Sequence, residues 1–263
     1  MLGGSKMLEN KRIIITAGAG GIGRAMAECF AAAGASISIC DVDESNFADI
    51  RKAGIVKHMK KTDVSSYSEM QGYVQEAVSE LGGLDMLVNN AGIAGPNELL
   101  ENIDPEEWRK TIDVDLNGVF YASKLAIPHM KKNQAGAIIN IASSAAFFGY
   151  PNRSPYAAAK WAIVGLTKTM AMELGADQIR VNAICPGSVN GERIEKVIRG
   201  EANTRGITTD DVIKSYTKHV SMKTFVDQED VANTALFLLS DMGRKISGQI
   251  IGVDGHTESL SQH

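Results

Sequence analysis

Residues 12–41 read RIIITAGAGGIGRAMAECFAAAGASISICD, and the order of elements within them sets the fold. Arg12–Thr16 is a β-branched run, the composition of a strand buried on both faces. Ala17–Gly23 is a glycine-rich turn, and residues 24–33 have helical composition closed by Gly34. A second apolar strand, Ser36–Cys40, then runs into Asp41. Strand, glycine turn, helix, strand and acid form a layout suited to a dinucleotide. The glycines let backbone amides approach a pyrophosphate at the helix N-terminus. A glycine-rich turn alone also serves as a tight strand-to-helix connection; its place between these elements, with Asp41 closing the next strand, carries the reading. Within the turn Gly18, Gly21, Ile22 and Gly23 are the candidate phosphate contacts. The Asp41 carboxylate suits the hydroxyls of an adenosine ribose and repels a 2′-phosphate. Val42 follows it and the turn holds no Lys or Arg, so NAD is expected over NADP.

The alternation continues along the chain. Residues 55–62 read as a weaker third strand leading to Asp63-Val64, and 66–81 as an amphipathic helix. Leu84–Val88 is a short strand entering Asn89-Asn90-Ala91-Gly92. Asp104-Pro105-Glu106-Glu107 opens a helix with a capping acid, a proline at the first position and acids in the first turn. It leads into the segment 112–130. Ala137–Ala142 and Ile179–Cys185 read as buried strands, 229–239 as a helix and Ile246–Val253 as a last strand. Strands alternating with helices predict an α/β protein whose parallel sheet is doubly wound, with helices on both faces. No linker or repeat divides the chain, so residues 11–263 form one expected domain. Residues 1–10 are expected to be a flexible polar leader with Met7 a candidate start. The polar stretch 190–225 is expected to form short helices, a lid over substrate.

The 263 residues are 44% hydrophobic, enough for one well-packed domain. Lys plus Arg is 27 against 31 Asp plus Glu, a net charge of −4, which argues against a basic nucleic-acid footprint. No apolar run reaches the roughly 18 residues of a membrane span, and no signal-peptide pattern opens the chain. Cys29, Cys40 and Cys185 are odd in number and lack metal-ligand spacing. They read as reduced, buried side chains of a cytoplasmic protein.

The chemistry concentrates in residues 136–165, GAIINIASSAAFFGYPNRSPYAAAKWAIVG. After the strand come Ser143 and Ser144, a loop with Gly149, Pro151 and Pro155, and then Tyr156 and Lys160 in an alanine-rich helical segment. Helical spacing puts Tyr156 and Lys160 on one face, one turn apart. A phenol is a poor base at neutral pH, since it ordinarily titrates at about 10. A nearby ammonium favours the phenolate and makes it a usable proton acceptor or donor. A serine hydroxyl at the end of the adjacent strand can hold the substrate oxygen against it. A lone Tyr-x-x-x-Lys also occurs as a surface pair; the upstream motifs decide the matter.

Taken together, Thr16–Gly23, Asp63, Asn89–Gly92, Ser143, Tyr156-x-x-x-Lys160, Pro186-Gly187 and Val253-Asp254-Gly255 stand in the order and spacing of one family. The chain resembles the compact, Rossmann-like short-chain dehydrogenases/reductases over roughly residues 11–256. The resemblance implies that Ser143 orients the substrate oxygen, Tyr156 is the general acid/base, and Lys160 supports it and binds the nicotinamide ribose. It implies Asn90 and Ala91 beside the adenosine ribose, Asp63 and Val64 at the adenine edge and Val189 at the nicotinamide carboxamide, with Gly92, Pro186 and Gly187 as further cofactor contacts. Three positions depart from the family pattern. Ala17 replaces its first glycine. Asp115 replaces an asparagine that holds a helix irregularity and a proton-relaying water, and Asn117 falls two places too late to substitute. Asp115 is kept as a relay member. Gly191 replaces a threonine that contacts the carboxamide.

Reversible oxidation of a secondary alcohol is the implied reaction. Arg153, Arg193 and Arg199 suggest a small polar hydroxy compound, anionic if these guanidinium groups bind it, with solvent-facing arginines the alternative. The lid lacks a long apolar stripe, which counts against steroids. Two rivals are a 3-oxoacyl-carrier-protein reductase, disfavoured by Asp41 and the negative charge, and a silent NAD-sensing regulator, which typically lacks the Tyr or Lys. The resemblance further implies a homotetramer or homodimer.

Overall fold

Among the described residues seven strands form one parallel sheet, and their order explains where a crevice opens. They are β1 (Arg12–Thr16), β2 (Ser36–Asp41), β3 (His58–Lys61), β4 (Met86–Asn89), β5 (Gly136–Ile141), β6 (Ile179–Pro186) and β7 (Ile250–Val253). The structure is a computed structural model and describes residues 6–260, without the side chains of Glu192, Arg193, Lys196, Val197, Glu201 and Thr204. The spatial order is β3-β2-β1-β4-β5-β6-β7. The chain steps outward from β1 to β3, then returns to place β4 on the other side of β1. That reversal leaves a crevice beyond the C-terminal ends of β1 and β4.

Period-two alternation assigns each strand residue to a face. Ile13 and Ile15 join Ile37, Ile39, Val88 and Ile139 in a core covered by Met26 and Phe30 of α1 (Gly21–Ala32) and Leu236 and Leu239 of α9 (Gln228–Leu239). Ile14 faces the other way, with Leu87, Ile138 and Val181. There Tyr73 and Val74 of α3 (Tyr67–Leu81), Ala126 and Met130 of α5 (Gly118–Asn133) and Met170 of α6 (Ser154–Leu174) cover the sheet. The isoleucine triplet is wholly buried because both faces are roofed. The expected doubly wound, single α/β domain is the one observed.

Several boundaries differ from the sequence reading. The segment 6–10 is packed and not a free leader: Leu8 is fully buried, its amide bonds Ala33 O at 3.0 Å, and Lys6 crowds Gly34. Residues 1–5 lie outside the described residues. Helix α1 starts at Gly21, inside the glycine turn, and α2 (Phe47–Ala53) was not anticipated. The last strand is shorter than Ile246–Val253, because Ile246 O accepts from the Arg180 and Asn182 side chains and Gly248 turns the chain with φ +71°. Cys40 and Cys185 are buried and Cys29 only partly so. In 190–225, α7 (Glu192–Arg205) and α8 (Thr209–Thr217) share a small core of Ile198, Ala202 and Val212.

Candidate active site

The glycine turn is stitched to the strand across the crevice. Thr16 Oγ1 accepts from the amides of Asn90 and Ala91, each at 3.0 Å. The Asn90 side chain in return donates to Thr16 O at 3.1 Å and Ala17 O at 2.9 Å. Ala17 therefore sits at φ +49°, a left-handed conformation that its family counterpart, glycine, adopts freely. A Cβ on Gly23 would overlap Ala17 O, and one on Gly18 would overlap Ile39, so neither position accepts a side chain. At the head of α1, Gly20 offers no side-chain cap and nothing lies within 4 Å of where a Gly21 Cβ would be. The space beside Gly21 is thus open at the positive end of a helix whose first-turn amides, those of Ile22 and Gly23 among them, have no intrahelical acceptor, which fits a pyrophosphate.

The Asp41 carboxylate is aimed at this turn. Oδ2 accepts from Ala19 N and Oδ1 from Asp43 N, both at 3.1 Å. Val42 beside it is exposed. Asp63 is held by Ser65, whose amide and hydroxyl both donate to Oδ1, while Val64 is buried under Gly118. At the end of β6, Gly187 N bonds Val253 O at 3.0 Å and Val189 pairs with Val226, so Pro186, Gly187 and Val189 rim the same side of the sheet.

Tyr156 and Lys160 lie in the first two turns of α6, behind Pro155. Lys160 is almost completely buried, with Nζ 5.4 Å from the Tyr156 ring centroid and 3.3 Å from Ile141 O, to which it donates. Gly92 passes so close that a Cβ there would lie 3.2 Å from Nζ. Ser143 follows β5; its Oγ accepts from Ala145 N at 3.2 Å and so caps a single 3₁₀ turn. Burial pushes the Cys185 thiol up to about 12, against the pull of the Ser143 amide and the Lys160 charge. It is therefore an unreactive packing group. Among the described residues no group of three His, Cys, Asp or Glu is arranged to hold a metal ion, and no helix is long and apolar enough to cross a membrane.

A family model described as enoyl-(acyl carrier protein) reductase matches residues 17–256. A D-beta-hydroxybutyrate dehydrogenase of Rhizobium meliloti is 39% identical over 253 residues, covering 93% of this chain and 97% of that one. A 3-oxoacyl-(acyl-carrier-protein) reductase of Thermotoga maritima is 34% identical, over 94% and 98%. The crystal structure of an NAD+-bound xylitol dehydrogenase superposes with a TM-score of 0.87 at 28% identity, covering 94% of this chain and 98% of that one. The chain belongs to the short-chain dehydrogenase/reductase family.

As a short-chain dehydrogenase/reductase it is an oxidoreductase, and its departures from the family pattern now have a geometry. Residues Asp113–Asn117 form a π-turn between α4 (Pro105–Ile112) and α5, and its extra residue swings Asp115 inward. Asp115 is fully buried; Oδ1 accepts from Ile93 N at 2.7 Å. Oδ2 stands 3.4 Å from Lys160 Nζ and has no hydrogen-bond partner among the described residues. Asn117 is tied to Asp113 at 2.7 Å and does not stand in for the missing asparagine. Gly191 has φ +144°, and a Cβ there would strike the Gln228 side chain, so the family's threonine does not fit this backbone.

The arginines behave differently from one another. Arg153 donates through Nη1 to Ala94 O at 3.3 Å and Gly95 O at 3.1 Å, bridging two loops. Arg199 pairs with Glu195 on the exposed side of α7 at 3.3 Å. The Arg193 side chain lies outside the described residues. Sequence reasoning gave no part to Tyr150, whose ring meets that of Tyr156 edge to face with centroids 6.5 Å apart. A loop residue between Gly149 and Pro151 carries no periodicity from which to infer that contact.

Proposed function

We propose that this short-chain dehydrogenase/reductase interconverts a secondary alcohol and its ketone with NAD, Tyr156 acting as general acid/base. The observation that carries the reading is the buried Lys160 ammonium under the Tyr156 ring, at the mouth of a crevice whose glycine turn suits a pyrophosphate. NAD over NADP is supported by Asp41, which the turn itself orients. When bound, NAD supplies the hydride acceptor. Gly18, Gly21, Ile22 and Gly23 would hold its pyrophosphate, Asp41 and Asn90 the adenosine ribose, Asp63 and Val64 the adenine edge, and Val189 the carboxamide end.

In the oxidation direction the Tyr156 phenolate takes the hydroxyl proton while Ser143 holds the oxygen, and the Lys160 ammonium stabilises the phenolate. The carbinol carbon loses its hydride as its oxygen becomes a carbonyl, so the alcohol is oxidised by two electrons. Asp115 keeps Lys160 in place from behind. Fixing both reactants side by side removes much of the entropic barrier. We assign α7 and α8 the part of a substrate lid. We further propose a cytoplasmic homo-oligomer, since the cysteines are unpaired and Phe120, Trp161 and Met172 expose apolar surface on α5 and α6.

Tyr156→Phe tests the reading. Alcohol oxidation followed at 340 nm should fall by about 10²–10⁴, with NAD binding retained. Turnover near the wild-type rate would refute it, as would higher catalytic efficiency with NADP for the cofactor assignment. Bound NAD without turnover of any alcohol by the wild type would favour a sensing role.

A further inference from the structure

The connection from β5 to α6 is a built wall. Phe147, Phe148, Gly149, Tyr150 and Pro151, with Ser259 from the C-terminal segment, border an open depression of the surface of about 640 Å³. That volume suits a small molecule. Tyr150, which borders the depression, leans edge-on against Tyr156, so one ring links this wall to the proposed acid/base. None of the lining residues is charged. Three ties hold the wall in shape: Trp161 Nε1 donates to Phe148 O at 3.4 Å, Glu98 N to Asn152 O at 2.9 Å, and Arg153 Nη1 to Ala94 O and Gly95 O. Arg153 is the sole cation between Ser143 and Tyr156 in the sequence, and it faces carbonyls of the opposite loop. A carboxylate laid on the aromatic wall would lose part of its water without gaining a counter-charge from the described lining residues. A hydrocarbon body would lose nothing and bury ring surface on a preorganised face.

We propose that the substrate carries an uncharged alicyclic or aromatic ring beside its reacting carbon, seated against Phe148, Tyr150 and Pro151. Arg153 is the positioning strut of this wall and not an anion receptor. The inference rests on the secondary-alcohol reading of Tyr156 and replaces the small anionic substrate with a ring-bearing one.

The test compares kcat/KM with NAD for 1-cyclohexylethanol, 2-propanol and 3-hydroxybutyrate. It adds calorimetric binding of cyclohexyl methyl ketone to the enzyme with NADH. The ring alcohol should exceed 3-hydroxybutyrate by about tenfold or more. In Tyr150→Ser the ratio of ring alcohol to 2-propanol should drop about tenfold, and ketone binding should weaken in parallel; Phe148→Ser repeats the measurement should that variant not fold. Preference for 3-hydroxybutyrate, with its KM raised by Arg153→Ala, would overturn the proposal while leaving the reaction intact. An unmoved ratio together with altered sedimentation would also overturn it, making the wall a contact between copies. Tyr150-dependent ketone binding without oxidation of any alcohol would sink the reaction and keep the wall.

Discussion

Asp115 departs from the family pattern directly beside Lys160, and replacing it separates its structural from its chemical part. Two unit charges 3.4 Å apart attract by roughly 5 kcal/mol at an effective dielectric of about 20. Desolvating a carboxylate and an ammonium that are both buried offsets most of this, so the intact pair contributes little net stability. Removing one partner is another matter. Asp115→Ala leaves Lys160 buried without a counter-charge and Ile93 N without its acceptor, and should cost about 3–5 kcal/mol. Asp115→Asn keeps an oxygen for Ile93 N and should cost less, about 1–3 kcal/mol. It also frees the ammonium to act on the phenolate alone, so turnover should be kept or improved. Urea denaturation of the three proteins, with kcat measured on each, reads both quantities. A folded Asp115→Asn without activity would refute the interchangeability of acid and amide. An Asp115→Ala as stable as wild type would refute the ion-pair argument.

Other residues give sharper, smaller tests. Ala17→Gly relieves a left-handed alanine at φ +49° and should stabilise the fold by about 0.5–1 kcal/mol in thermal unfolding, after the entropy of glycine is deducted; a loss of stability would contradict the strain. Gly23→Ala drives a methyl into Ala17 O and should weaken NAD binding by about tenfold or more in calorimetry; unchanged affinity would remove the glycine turn from the cofactor site. Burial pushes the Asp85 carboxyl up, but the hydrogen bonds and charge of Arg12, with Nη2 at 2.7 Å, outweigh it and hold the group below the ordinary carboxylate range. A carboxyl lowered in the folded state contributes stability above its unfolded value of about 4, and this is lost as pH falls through the folded value. Asp85→Asn should therefore lower stability at pH 7 and flatten its decline in acid; an unchanged slope would count against the pair.

Strands β1, β2 and β6 are legible in the sequence because uninterrupted apolar runs admit few other structures in a chain of this kind, and they appear within a residue or so of their expected bounds. Helix α2 is a seven-residue element with only Phe47 and Ile50 buried, too weak a period to stand out. Leu8 is one apolar residue in a polar stretch, and a single contact leaves no pattern. Local spacing likewise puts Tyr156 and Lys160 on one helical face, and the glycine turn beside Asp41 suggests a dinucleotide, since both depend on neighbours along the chain. Contacts across the crevice are different. The Asp115–Lys160 pair, the Arg153 bridge to Ala94 and Gly95, and the stitch from Asn90 to Thr16 and Ala17 join segments 45, 58 and 74 positions apart. They exist because the sheet order sets β1 beside β4 and β4 beside β5. No local propensity encodes that proximity; burial of both sheet faces does.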